Sequence, residues 1–408
     1  MNPTGPLDGL TVLEVSSFVA APLGGLTLAQ LGAEVIRIDP VGGAADQGRW
    51  PLAPSGTSLF WTGLNKGKRS ITVNFRAPEG RQIIADLVRA SGAGGGIVLT
   101  NAVGQAWLSY PELAQVRPDL IHLQILGYRD GRAAVDYTVN AETGFPLVTG
   151  PDALDGPVNH VLPAWDVACG LYAAVGLLAA ERRRAQSGEG SQITLALADV
   201  ALAVAGNLGF LAEAQLGQDR PRIGNHLFGG LARDFRTADG QRIMLVALTK
   251  RHFADLGKVT GLADTFAELE GLLGADFGTD GDRFRHREVI ASLLEPWIAA
   301  RPLAGIERDF AGTSVLWSRY RKFTEIELTG NPLLTQISQP GVGPLLAPAS
   351  PLLTDGVSDV RPAPDLGADT APVLSGLLGL AEADVRALIE RGIVGTPPET
   401  TGQAFAGS

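Results

Sequence analysis

Short apolar runs alternate with longer helical periodicities over the first half of the chain, and that alternation predicts its architecture. Residues 10–15 (LTVLEV) form an apolar run with β-branched content, residues 23–31 carry a helical pattern, and residues 33–39 (AEVIRID) return to a strand. Two strands joined through a helix pair in parallel, with a right-handed crossover. The alternation continues with a strand at 70–75, a helix at 78–90, a strand at 96–100, a helical stretch at 111–116 and a strand at 120–126. A strand at 192–197 and a long apolar helix at 199–215 follow. Strands regularly separated by helices predict an α/β fold, a Rossmann-like, doubly wound parallel sheet.

The pattern changes from Asp219. Residues 225–248 (NHLFGGLARDFRTADGQRIMLVAL) read as a hairpin turning at Ala238-Asp239-Gly240, and helices are expected near 252–259 and 285–300. The predicted division is a large Rossmann-like domain over 1–218, a smaller α+β domain over 219–330, and a linker with a C-terminal return to the large domain over 331–408. Within the last part, the Pro- and Gly-rich stretch 339–367 reads as an extended connection, 371–392 as helix, and the residues beyond Pro397 as disordered.

Polar residues matter most where they interrupt this pattern, and the clearest case is Asp166. It precedes the small-residue apolar run 167–180, which leads into Arg182, Arg183 and Arg184. That order predicts a buried helix with Asp166 at its start, an N-cap whose side chain accepts a first-turn N–H and whose charge the helix dipole favours. The dipole is expected to lower its pKa. Asp199, before the next apolar helix, reads as another N-cap. Cys169, near the same helix start as Asp166, reads as a core residue.

At 408 residues, 45% hydrophobic and 19% charged, the chain has material for about two globular domains. A net charge of −10 without dense Lys/Arg runs argues against a nucleic-acid surface. One cysteine excludes an internal disulfide, the N-terminus lacks a leader pattern, and the longest apolar run falls short of the roughly 20 residues that span a bilayer. A cytoplasmic protein without a membrane segment is expected. The five histidines lack paired ligand spacing, so no metal is expected.

A nucleotide site in such a fold lies at the first strand–helix turn. The turn SSFVAAPLGG lacks G-x-G-x-x-G, and Gly94, Gly95 and Gly96 precede a strand instead of opening a helix. Asp39, at the end of the second strand, therefore stands without a dinucleotide fingerprint. The densest cations, Lys66, Lys68 and Arg69, lie before a strand and read either as a phosphate-holding loop or as a solvated turn.

Several collinear phrases together resemble class III CoA-transferases of the CaiB/BaiF type. They are residues 6–39 (PLDGLTVLEVSSFVAAPLGGLTLAQLGAEVIRID), NKGKRSITVNF with the following PEG, Asp166-x-x-x-Gly170, RRRAQSGEGSQITLALADV, and LGLAEADVRALIERGIV near the end. The phrases FVAAPLGG, GLNKGKRS, DYTVN, NHVLPAWD, LLAAER and GDRFR further resemble the subgroup that moves CoA between the two carboxyls of mesaconate. The resemblance implies that Asp166 is the catalytic acyl carrier. It implies CoA contacts at Ser17, Phe18, Ala20, Val73, Arg76 and Asn101, and a glycine loop over the acyl site represented by Gly229 and Gly230. It also implies an interlocked homodimer acting on an acyl-CoA, with coenzyme A as part of the substrate and no tightly bound cofactor. Two positions depart from formyl-CoA transferases: Val19 stands where they carry an assisting glutamine, and Pro40 where they carry a basic residue.

A carboxylate attacks a thioester to give an anhydride, which a thiolate reopens in either direction. The expected reaction is intramolecular CoA transfer, isomerising mesaconyl-C1-CoA to mesaconyl-C4-CoA; the alternative is intermolecular transfer between organic acids. Arg49 and Lys66 are candidates to hold the idle carboxylate. The family's racemase chemistry is disfavoured because Ala141 stands where a catalytic histidine is expected.

Overall fold

A computed structural model describes residues 5–352 and 360–397 of the chain. The first compact unit takes the residues up to 143, 161–209 and those from 328 onward; the second takes 144–160 and 210–327. In chain order the first unit begins β1 (Thr11–Val15), α1 (Ala20–Gln30), β2 (Glu34–Pro40), α2 (Leu59–Leu64), β3 (Arg69–Val73), α3 (Pro78–Ala90), β4 (Ile97–Thr100), α4 (Tyr110–Val116), β5 (Ile121–Leu126) and α5 (Asp136–Glu142). The chain then crosses to the second unit with α6 (Phe145–Val148) and comes back for α7 (Ala164–Ser187), β6 (Ser191–Ala196) and α8 (Leu197–Asn207).

The second unit continues with α9 (Phe210–Gln215), β7 (Leu231–Arg236), β8 (Arg242–Ala247), α10 (Lys250–Thr260), α11 (Ala263–Leu273), α12 (Asp280–Arg285), α13 (Arg287–Ala299), α14 (Leu303–Phe310) and β9 (Leu316–Arg319). The chain ends in the first unit with β10 (Leu334–Gln339), β11 (Gly343–Pro348), α15 (Thr370–Leu378), α16 (Glu382–Glu390) and β12 (Val394–Gly395). The segment beyond Pro397, expected to be disordered, lies outside the described residues.

The large sheet has seven strands in the order β12-β3-β2-β1-β4-β5-β6. All pairs are parallel except β12, which runs antiparallel to β3 with Val394 opposite Val73. The six parallel strands follow the doubly wound order, with the chain direction across the sheet reversing between β1 and β4. Leu13, Ile36, Ile71 and Val98 from the strands pack with Ile84 and Leu87 of α3 and with Val373 and Leu388 of α15 and α16. The smaller unit folds three antiparallel strands, β7-β8-β9, against a core that includes Phe235, Leu245, Phe253, Ile290 and Leu294. Its hairpin turns through Thr237 to Gln241, with Gly240 at φ +76 as the tight reversal requires.

Four expectations change. The apolar stretch 199–215 is two helices, because Gly209 at φ +87 breaks it. The C-terminal stretch is likewise two helices, divided after Gly379 at φ +67. The stretch expected to be an extended connection holds β11, paired antiparallel with β10, so that backbone groups of the two segments are satisfied in a ladder. Asp199 is the third residue of α8, not its cap, and pairs with Arg129 at 2.9 Å. Helix α7 is longer than its apolar run and is long and apolar enough to cross a membrane by length and composition, yet its Ala173, Ala174 and Leu177 are core residues.

Helices α1 and α7 cross in close contact. A Cβ on Gly170 would stand 2.6 Å from the carbonyl oxygen of Ala20 and 3.0 Å from Cβ of Leu23, and one on Gly24 would stand 3.1 Å from the carbonyl oxygen of Gly170. Two facing glycines let the backbones touch. Gly170→Ala is expected to push the helices apart and destabilise the chain by about 1–3 kcal/mol, the range for overpacking a close contact. Thermal or urea unfolding of the variant checks this, and an unchanged midpoint would show that the crossing tolerates a methyl group.

Candidate active site

The doubly wound order places a crevice at the carboxyl ends of β1 and β4, the usual ligand position in such sheets. The chain builds that crevice from the turn between β1 and α1 and from the residue after β4. Asn101 joins them: its Oδ1 accepts the Ser17 N–H at 3.0 Å, and its Nδ2 donates to the Ser17 carbonyl at 2.8 Å. Phe18 follows at φ +64, the single non-glycine residue in the left-handed region among the described residues. That conformation costs energy for a bulky side chain and is held by surrounding contacts. Its N–H donates to Asp46 Oδ2 at 2.8 Å, while its ring stays exposed.

Asp46 is in turn fixed by a buried charge cluster. Arg37 on β2 bonds Asp39 through Nε at 2.9 Å, Asp46 through Nη2 at 3.2 Å, and the Ser16 carbonyl at 3.1 Å. Lys68 bonds Glu14 at 2.9 Å and the carbonyl of Pro22 at 2.8 Å. All five charged side chains are buried. Burial pushes the Lys68 ammonium down to about 8 against the pull of Glu14, and burial raises the Asp39 carboxyl despite Arg37. Buried charges are tolerated only when paired, and here the pairs pin both ends of the Ser16–Phe18 turn.

This cluster settles two sequence expectations. Asp39 is turned to Arg37 and is closed to a ribose. The cationic loop before β3 is neither a phosphate cradle nor a solvated turn: Lys68 is interior, Arg69 pairs with Glu34 at 2.7 Å, and the half-buried Lys66 donates to the Gly63 carbonyl at 2.5 Å. Burial lowers the Lys66 pKa.

Asp166 is the third residue of α7, not its N-cap. The cap position is Pro163, which supplies no side-chain hydrogen bond. The N–H groups of Trp165 and Asp166 donate instead to Oδ2 of Asp136 on α5, at 2.7 and 3.1 Å. The indole N–H of Trp165 reaches Asn140, one turn further along α5, at 3.1 Å. The pKa expectation is also reversed: burial and then the charge of Asp136 push the Asp166 carboxyl up to about 7, against Arg49, which pulls it down. Desolvation outweighs the helix dipole because the side chain is partly enclosed. Cys169 is fully buried, and burial followed by the Asp166 charge pushes its thiol up to about 12, so it is an inert core residue.

The remaining candidates fall in different surroundings. Arg49 is exposed, with its guanidinium 5.6 Å from the ring centre of Phe18 and 5.0 Å from that of Phe60. Ala20 is buried, its carbonyl against Gly170. Val19 is buried at the α1 start, and Pro40 ends β2. Val73 has no exposed side chain; it packs in the core, with Val394 of the neighbouring strand β12 opposite it. Arg76 is exposed beyond β3, its N–H held by Asn74 at 3.1 Å. Gly229, exposed at φ +76, and the buried Gly230 precede β7 in the second unit. The first unit thus brings together Ser17, Phe18, Ala20, Asn101, Arg49 and Asp166. Asp136 and Asp46 were missed, because each acts on backbone far away in sequence and Asp136 looks like an ordinary first-turn acid of its own helix.

The model of CoA-transferase family III matches residues 7–370. The chain belongs to that family. This family III chain is 50% identical over 403 residues to a 2-methylfumaryl-CoA isomerase of Chloroflexus aurantiacus, covering 96% of the chain and 98% of that protein. It is 25% identical to a human succinyl-CoA:glutarate CoA-transferase over 97% of the chain and 91% of that protein. A crystal structure of a CaiB/BaiF family protein from Brucella suis superimposes with a TM-score of 0.75 at 24% identity, over 92% of the chain and all (100%) of that one, and shares its fold. The chain is an enzyme of this CoA-transferase type.

A raised carboxyl pKa costs the folded enzyme stability. Between the ordinary value of 3.8 and about 7, folded Asp166 holds a proton that the unfolded chain releases, so stability falls as pH rises through that window. Asp166→Asn removes the penalty. The variant is expected to melt above the parent at pH 8, by on the order of 1–4 kcal/mol, with the gap closing toward pH 4. A gap independent of pH would contradict the raised pKa.

Proposed function

We propose that the enzyme isomerises 2-methylfumaryl-CoA (mesaconyl-C1-CoA) to 3-methylfumaryl-CoA (mesaconyl-C4-CoA) by intramolecular CoA transfer on Asp166. The 50% identity to the Chloroflexus isomerase, nearly end to end, carries the substrate assignment. The uncapped carboxyl of Asp166 supports the mechanism. An Asp166 oxygen attacks the thioester carbonyl, the C–S bond breaks, and CoA thiolate leaves a mixed anhydride. Thiolate then attacks the aspartyl carbonyl, giving an aspartyl-CoA thioester and free mesaconate. The other carboxylate of mesaconate attacks that thioester, thiolate leaves again, and its return to the new substrate carbonyl releases Asp166 and the isomeric product. Each step exchanges one anion for another, so no external acid or base is consumed. CoA enters and leaves as part of the substrate.

In this reading CoA lies along the switch-point crevice against Ser17, Phe18, Ala20 and Asn101, with Arg76 at its polar end and Val73 contributing main chain alone. Arg49 is the better candidate for the idle carboxylate: its charge bears on Asp166, and the Phe18 and Phe60 rings steady it without neutralising it. Lys66 is drawn instead toward the Gly63 carbonyl. Free mesaconate must be retained until it reattacks, since escape converts isomerisation into exchange.

We also propose a homodimer. Leu171, Tyr172 and Val175 on α7 and Leu202 on α8 are about half or more exposed, an apolar surface that a second copy of the chain would cover. Light scattering is expected to give twice the 42.6 kDa chain mass at micromolar concentration, and a stable monomer would overturn the assignment.

Mesaconyl-C1-CoA offered with isotopically labelled free mesaconate is expected to isomerise without taking up label. Label in the product would establish intermolecular transfer, and failure to rearrange without a second acid would refute the isomerase. Asp166→Ala is expected to lower kcat by at least about 10⁴, as removal of a covalent nucleophile does.

A further inference from the structure

Helix α7 begins in an unusual way for a helix that carries a reactive carboxylate. Its first-turn N–H groups need acceptors, and its cap residue is a proline. Asp166, an acid in that first turn, is the residue on α7 best placed to be drawn into the task. The fold brings in another acid instead. Asp136, 2% exposed, accepts from both Trp165 N and Asp166 N through a single oxygen, Oδ2. Asn140, also buried, holds the Trp165 indole, so two side chains one turn apart on α5 clamp the residue before Asp166. The second oxygen of Asp136, Oδ1, is buried with no hydrogen-bond partner among the described residues. A buried unpaired acceptor is costly and uncommon, and its retention needs a reason.

We propose that Asp136 is a positioning residue for the Asp166 nucleophile: it caps the first turn of α7 in place of Asp166 and sets an unneutralised like charge beside it. The inference rests on the reading of Asp166 as acyl carrier. Freed from capping, the Asp166 carboxylate keeps its lone pairs for the thioester carbon. Hydrogen bonds to an ionised carboxylate stabilise it and make it a poorer base and nucleophile. The like charge acts in the same direction. Repulsion between the two acids exists while Asp166 is a free carboxylate and vanishes when it is acylated, because anhydride and aspartyl-CoA thioester are both neutral at that position. An interaction that opposes the ground state and is relieved along the reaction favours formation of the covalent intermediates.

The charged groups bearing on Asp166 are Asp136 from α5, which reinforces burial, and Arg49 from the segment after β2, which opposes it. Cys169, one turn along α7, stays a neutral thiol. With the Asp166 carboxyl near 7, kcat/KM of the parent enzyme is expected to rise with pH along an acidic limb centred there.

The test separates the two parts of the role. Asp136→Asn keeps an amide oxygen for the two N–H groups and removes the charge; Asp136→Ala removes both. The Asn variant is expected to fold with its thermal midpoint preserved, to move the acidic limb of kcat/KM to lower pH, and to lose about tenfold in kcat at pH 8 with KM within about twofold. It is also expected to carry less CoA bound to the chain in acid-quenched turnover, read by intact mass. The Ala variant is expected to lose more of kcat than Asn does. An Asn variant with the parent limb, kcat and CoA adduct would overturn the proposal while leaving Asp166 as the carrier. Turnover surviving in Asp166→Ala would instead remove the reading beneath it.

Discussion

The contact between Gly24 and Gly170 governs how the first unit can work. The turn between β1 and α1 and the residue after β4 form the crevice at the point where the sheet reverses, but the carboxylate proposed to react, Asp166, arrives from α7, which begins only at Ala164, well after β4 ends at Thr100. The two helices must approach until backbone touches backbone, with the Ala20 carbonyl oxygen 2.6 Å from where a Cβ on Gly170 would stand. Asp166 lies one turn before Gly170 on the same helix. The Asp-x-x-x-Gly spacing is therefore a mechanical statement: the glycine sets how closely α7 docks, and the aspartate inherits its position from that docking.

A second constraint acts on the other wall. The turn that presents Ser17 and Phe18 includes a strained residue and is not held by a regular ladder. Arg37, Asp39, Asp46, Glu14 and Lys68 hold it from below, at the cost of desolvating five charged groups. Replacing such a cluster with packed apolar residues is often neutral or favourable for stability. Its value here lies in aim: Asp46 fixes one backbone N–H and Arg37 one backbone carbonyl, so the turn has a single arrangement against Asn101.

The sequence pattern made the sheet legible because buried parallel strands and their helices have distinct periods, and each strand from residue 10 to 126 lies within a residue or two of its expected place. It also located Asp166 at the beginning of α7, and the collinear phrases identified the family. What it missed has a common cause. The N-cap assignment failed because propensity describes a residue against its own helix, whereas the acceptor for α7 comes from Asp136 on another helix. The cationic loop was misread because the carboxylate facing Lys68 is 54 positions away.

These failures gather around the carboxylates, and the physics explains why. A stable chain would let Asp166 serve its helix: ionised, bonded to first-turn amides, with a low pKa. The fold instead assigns those amides to Asp136, encloses Asp166 and leaves Arg49 as the one cation whose pull on it is resolved. Enclosure and the Asp136 charge raise the free energy of the unreacted carboxylate, Arg49 opposes them, and the like-charge repulsion is absent from the neutral anhydride and thioester of the proposed mechanism. On the proposed mechanism, stability is given up at one residue in the form that lowers the barrier to acylation. Such a site cannot be inferred from local preferences, since its function depends on a local preference being denied.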